Sequence, residues 1–282
     1  MARRAKHFEK DLPEEERVFY YESETDDPIQ TKEQEKGEPV LLPEDYVFIH
    51  KNPFLKLYAA MLYGGFKIFA RYYAKSYLQM KVVGREKLKQ AKGKGYVIYG
   101  NHTNSFHDAY SPALIADRRI YTIMTPVALK LPKLGKLLPY LGGVPLGTSP
   151  NTKKRFHEAI DERLRQGNCL VIYPEAHLWP YYTGIRKFPA GDKSFTYPAR
   201  NNLPIFTMTT TYQKSHKKGQ LRPRMTVYID GPFYPDSSKT EAENRAKLAK
   251  EAYDSMKKWS KKSDYDYIKY IKKSSGKKAG KK

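Results

Sequence analysis

The sequence predicts an α/β fold: a mostly parallel, twisted sheet flanked by helices, with an N-terminal amphipathic helical segment suited to a membrane interface. Three observations predict it. Short apolar or β-branched runs recur from residue 95 to residue 230, at lengths that suit buried strands. Stretches of helical period lie between them. A block at 53–80 is dense in apolar and aromatic residues, yet no window of 18 uninterrupted apolar residues exists, so a standard spanning helix is not indicated.

Taken in order, residues 1–50 are acidic, with 7 Lys/Arg against 14 Asp/Glu, and carry Pro13, Pro28, Pro39 and Pro43 without a clear period. They read as an extended or irregular extension, clasping the domain through FYY and YVFI. The start, MARRAKHFEKDLPEEE, has no apolar core of the kind a secretory signal needs. Residues 53–80, PFLKLYAAMLYGGFKIFARYYAKSYLQM, read as one bent helix or two short ones, interrupted at Gly64-Gly65. Two readings stay open for this segment (51–84): an ordinary core helix, or a monotopic helix whose Tyr and Lys residues sit at headgroup level.

The strand-like runs are GYVIYG (95–100), RRIYTIMT (118–125), NCLVIYP (168–174), LPIFTMTTTY (203–212) and RMTVYID (224–230). Among the intervening helices, 151–167 is the clearest: Phe156, Ile160 and Leu164 recur every fourth residue and Gly167 supplies a stop. The α/β domain spans 85–238, and an amphipathic helix near 239–259 leads into a lysine-rich tail that completes residues 239–282. The last 26 residues hold 11 Lys and 2 Asp, a run that reads as solvated or as docking on anionic lipid or nucleic acid. The whole chain of 282 residues carries +22, so an anionic partner such as a membrane surface suits it. A single cysteine, Cys169, excludes an internal disulfide framework or a cysteine zinc site and fits a reducing cytosol.

In open parallel sheets the chemistry sits beyond the carboxyl ends of the strands, which puts the loops at 101–108 and 174–191 on one side. The first loop follows GYVIYG and reads NHTNSFHD. An imidazole at a strand end acts as a general base near neutral pH when a carboxylate fixes its tautomer. His102 is the candidate base, Asp108 its orienter, Asn104 or Ser105 the helix cap, and His107 competes for either role. The second loop, YPEAHLWPYYTGIRKFPAGDKSFTYPA, offers Glu175 at a strand end with Arg186, Lys187 and Lys193 beyond it. Guanidinium and ammonium groups there suit a phosphate. Read without function, the two loops are polar surface, with Glu175 as a salt-bridge partner.

Together these stretches resemble the 1-acylglycerol-3-phosphate (lysophosphatidic acid) acyltransferase family of glycerolipid acyltransferases. Its first block, Asn-His followed by Asp, matches Asn101-His102 … Asp108, with five residues between His and Asp where four are usual. Its second, a Gly and apolar run before a basic helix, is matched loosely by LGGVPLGTSPNTKKR (141–155), making Gly143, Lys153 and Arg155 candidates for phosphate contact. Its third, Pro-Glu-Gly-Thr-Arg, keeps only Pro174 and Glu175, and Arg186 stands in for the missing arginine. Its fourth is Leu203-Pro204-Ile205. The resemblance covers roughly 53–235. It implies that His102, held by Asp108, takes the proton of a glycerol hydroxyl as that oxygen attacks an acyl thioester, with no covalent acyl-enzyme. It also implies substrate contacts from Asn101, Glu175, Arg186, Gly143, Lys153, Arg155 and Lys193. No metal or cofactor is expected; acyl-coenzyme A or acyl carrier protein is the donor and a lysophospholipid the acceptor, at the cytoplasmic face of a membrane. Three rivals remain: the same fold with another acceptor, a nucleic-acid-binding protein (none of whose motifs is visible), and a metal enzyme using His102, His107 and Asp108.

Overall fold

A computed structural model describes residues 11–26, 28, 39–104 and 107–273 of the chain. In chain order its elements are β1 (Val18–Tyr21), α1 (Pro53–Ser76), β2 (Lys81–Val83), β3 (Tyr96–Gly100), α2 (His107–Ile115), β4 (Ile120–Met124), β5 (Gly143–Pro145), α3 (Pro150–Arg165), β6 (Cys169–Ile172), α4 (Thr196–Asn201), β7 (Ile205–Gln213), β8 (Arg224–Phe233), α5 (Glu241–Ser260) and β9 (Lys269–Lys272). A seven-stranded sheet has the order β2-β8-β7-β3-β6-β4-β5, and β1 pairs apart with β9. Every pairing is parallel except β7 with β8. The α/β class with a mostly parallel sheet is therefore observed.

Continuous apolar runs place β3 and β6 at the centre. All five residues of β3 and all four of β6 are buried, as strands covered on both faces require. One face packs Tyr96, Ile98, Cys169, Val171 and Phe206 under α1 and α2. The other packs Val97, Tyr99 and Leu170 under Phe156, Ile160 and Leu164 of α3, the residues of the four-residue period. Two of the long flanking helices start on capping boxes, Ser149 with Thr152 for α3 and Thr240 with Glu243 for α5.

Of the two forms expected for this segment, one bent helix or two short ones, the structure has a single helix, Pro53–Ser76. Asn52 caps it by accepting from Phe54 N and Leu55 N, and Pro53 occupies its first turn. Gly64 and Gly65 do not break it, because a glycine inside a helix costs only about 1 kcal/mol relative to alanine. A Cβ at either would meet nothing within 4 Å. The inner face buries Tyr63, Ala70 and Ala74, while Phe54, Met61, Ile68 and Tyr72 remain 70–79% exposed on the outer one. Among the described residues no helix is long and apolar enough to cross a membrane.

The lysine-rich segment after α5 departs from a wholly solvated tail. Tyr267 and Ile268 are buried, Leu12 N donates to Tyr267 Oη at 2.6 Å, and β9 pairs with β1 across some 250 residues. Aromatic residues spaced among the lysines supply the buried surface. The tail beyond 273, residues 1–10, 27 and 29–38 of the acidic extension, and Ser105, named as a possible cap, lie outside the described residues.

Candidate active site

Because β3, β6, β4 and β5 run parallel, the loops after their carboxyl ends share one rim. Gly100 ends β3, and a Cβ there would stand 2.8 Å from Tyr173 Cε1 and 3.0 Å from Met208 Cε. The glycine thus lets the Tyr173 ring close over the strand end. That ring stacks on the His102 imidazole, centroids 4.7 Å apart and planes 24° apart, and its hydroxyl donates to Asp108 O at 2.6 Å.

Asn101 anchors the loop to the sheet. Its Nδ2 donates to Thr210 O at 2.9 Å and its Oδ1 accepts from Thr210 N at 2.8 Å. The next residue, His102, is partly exposed and faces Asp108 with Nδ1 2.8 Å from Oδ2. The same carboxylate oxygen accepts from Thr103 N and Asn104 N, both at 2.9 Å. Asn104 Oδ1 in turn accepts from His107 N, capping α2 and delivering Asp108 in its first turn. An oxygen that gathers two amide N–H groups is an acceptor, so His102 Nδ1 carries a proton and its lone pair lies on Nε2. Burial alone would raise the Asp108 carboxyl, but hydrogen bonds from His102 and His107 hold it below the ordinary carboxylate range. Such an arrangement suits proton abstraction by Nε2.

Glu175 ties the second loop to the first. It is fully buried; Oε2 accepts from His102 N at 3.0 Å and Oε1 from Arg186 N at 2.8 Å. Trp179 N donates to His102 O and Tyr181 N to Thr103 O, so the two loops run together. Burial pushes the Glu175 carboxyl up, against the pull of Arg186 and the two amides.

Asn101, His102, Asp108, Glu175 and Arg186 are therefore brought together. The expectation that Arg186 grips a phosphate meets a different placement. Its guanidinium is buried over the Trp179 ring, donates to His177 O and to Glu24 O, and lies 3.5 Å from Glu175. Three protein acceptors thus hold it, and one of them comes from the acidic N-terminal segment. Gly143 is packed rather than open: a Cβ would meet Met124 Sδ at 2.8 Å, and it pairs with Thr122, short of the carboxyl rim. Arg155 donates to Glu44 O. Lys153, on the first turn of α3 and so on the rim, is exposed, as is Lys193 before α4.

Sequence reasoning missed Tyr173. Its one visible signal was an aromatic residue directly before Pro174-Glu175, opposite a strand that ends in glycine.

A family model described as Acyltransferase matches residues 79–225, just over half of the chain. No curated protein matches it. Among solved structures it is similar to the 1-acyl-sn-glycerophosphate (LPA) acyltransferase PlsC from Thermotoga maritima, at 19% identity over 73% of this chain and 95% of that one, with a TM-score of 0.47.

Proposed function

Since the chain belongs to the acyltransferase family, we propose that it moves a fatty acyl group from a thioester, of coenzyme A or of acyl carrier protein, to the free hydroxyl of 1-acylglycerol 3-phosphate, forming phosphatidic acid. The observation that carries this reading is the His102 Nδ1–Asp108 Oδ2 contact of 2.8 Å at the end of β3. Nε2 takes the hydroxyl proton while the oxygen attacks the thioester carbonyl carbon. The tetrahedral intermediate collapses, the C–S bond breaks, and the imidazolium returns the proton to the departing thiolate. Asp108 stabilises the imidazolium, and no covalent acyl-enzyme forms. A base of this kind contributes about 10²–10⁴-fold. Glu175 orders the loops that carry His102 and Arg186.

Both substrates are amphiphiles, and the outer face of α1 supplies a place to meet them. Phe54, Leu57, Met61, Ile68 and Tyr72 lie on it, and Lys56, Lys67, Arg71 and Lys75 belong to the same helix. Each fully buried side chain of this size contributes about 1.5–3 kcal/mol and each well-placed cation about 1 kcal/mol at an anionic leaflet. The protein on this reading is monotopic, at the cytoplasmic face of a membrane.

For the acceptor phosphate, Lys153 and Lys193 are the exposed cations of the expected set. One observation favours a second reading, the same transfer to an acceptor without phosphate: the Arg186 guanidinium is taken up by Glu24 O, His177 O and Glu175. Purified protein assayed with labelled lysophosphatidic acid, glycerol 3-phosphate and neutral lysolipids, each with both donors, separates the two. Product from lysophosphatidic acid alone supports the first. Equal turnover of neutral lysolipids overturns it.

A further inference from the structure

The five-residue spacing after His102 brings a second imidazole onto the orienting carboxylate. His107 is fully buried, and its Nδ1 lies 3.1 Å from Asp108 Oδ1, on the side of the carboxylate away from His102. Among the described residues it is the one side-chain or backbone donor that Oδ1 has, whereas Oδ2 receives His102 Nδ1 and two amides. Among the described residues the other nitrogen of His107, Nε2, is buried with no partner, and the ring meets Tyr110 edge-on with centroids 6.1 Å apart.

This geometry fixes the tautomer. A proton on Nε2 would leave an N–H buried without an acceptor and set two lone pairs, on Nδ1 and Oδ1, against each other. With the proton on Nδ1, one bare acceptor is left over, which costs less, and the carboxylate gains a donor. Asp108 is then held from both sides.

Resting on the acyl-transfer reading above, we propose that His107 is a positioning residue: its Nδ1–H fixes the second oxygen of Asp108 and draws off part of its charge, setting both the aim and the basicity of His102. The role follows from geometry: a carboxylate held at one oxygen turns about its Cβ–Cγ bond, and one held at both does not. A misplaced reacting group is costly even at ångström scale. The hydrogen bond from His107 also weakens the charge with which Asp108 favours the His102 imidazolium. The other titratable and charged groups packed around the pair are Tyr173 and Glu175 after β6, Tyr212 on β7 through Thr103, Tyr110 on α2, and Arg186 behind Glu175. None of them donates to Oδ1.

The test follows the ring signals of His102 by NMR through a pH titration of the full chain, in wild type, His107→Phe and His107→Asn. Phenylalanine keeps a ring without a donor, and the asparagine amide places N–H near the position of Nδ1. The titration midpoint of His102 is expected to rise by about 0.5–1 pH unit in His107→Phe, an approximately three- to tenfold change in proton affinity. It is expected to stay near the wild-type value in His107→Asn. A role in packing alone would lower the stability of both variants and leave both midpoints in place, and that result overturns the proposal. Should His107→Phe fail to fold, the ring ¹⁵N shifts of the wild-type protein decide: a protonated Nδ1 and bare Nε2 on His107 support the proposal, and the opposite tautomer overturns it. His102→Ala, assayed alongside with lysophosphatidic acid and acyl-coenzyme A, keeps the two levels apart. Retained transfer there defeats the catalytic reading, while an unmoved His102 midpoint in His107→Phe defeats only the role given to His107.

Discussion

Replacing Asp108 by asparagine removes a charge while leaving the shape almost intact. The carboxylate receives four hydrogen bonds: His102 Nδ1, Thr103 N and Asn104 N at Oδ2, and His107 Nδ1 at Oδ1. An amide has one acceptor oxygen. Placed at Oδ2 it keeps three donors and turns its NH₂ toward His107; placed the other way it sets three donors against an NH₂. The first orientation wins, and it leaves one buried mismatch, about 1–3 kcal/mol. Against a usual reserve of about 5–15 kcal/mol the variant stays folded. Activity has no such reserve, because the imidazolium has lost its counter-charge, and kcat is expected to fall about 10²–10⁴-fold. The assay pairs kcat at saturating acyl-coenzyme A and acceptor with urea unfolding. A kcat within about threefold of wild type, in a folded variant, would refute the role given to Asp108. The pH dependence has a definite sign. A carboxyl held below its unfolded value contributes stability that is present above that value and is lost as pH falls through the folded one. Wild type should therefore lose more stability than Asp108→Asn below about pH 4.

Asn101→Ala removes both hydrogen bonds to Thr210 and leaves a buried backbone pair unmatched, so urea unfolding is expected to show a loss of about 1–3 kcal/mol together with a lower kcat. Gly100→Ala drives a methyl against Tyr173 Cε1 at 2.8 Å; the expected result is a loss of about 1–3 kcal/mol and a moved Tyr173 ring, read from the His102 ring shifts. Met61→Glu with Ile68→Glu places two charges on the outer face of α1, and sedimentation with anionic vesicles is expected to show binding weakened by about tenfold or more, with the unfolding midpoint little changed.

What the sequence revealed and what it hid divide by range. β3, β6, β7 and β8 were legible because buried strands leave unbroken apolar or β-branched runs. α3 was legible from apolar residues recurring at every fourth position, Phe156, Ile160 and Leu164. β2 and β5 were not anticipated, since three residues carry no period. β1 and β9 were hidden for another reason: each is stabilised by a partner at the far end of the chain, and lysines mask the aromatic residues around β9. At the site, the nearness of His102 to Asp108 was legible because both belong to one loop and the helix that follows it. Arg186 was not, because its guanidinium is turned inward by Glu24 O, 162 residues earlier in the chain. Tyr173 depends on the register of β3 beside β6, which no local pattern encodes.

The central claim is that His102 is the base that takes the acceptor's proton. Its most direct test is acyl transfer from labelled acyl-coenzyme A to lysophosphatidic acid by His102→Ala protein whose urea unfolding midpoint matches wild type. A fall in kcat of about 10²–10⁴-fold is expected. Transfer within a few-fold of wild type would contradict it.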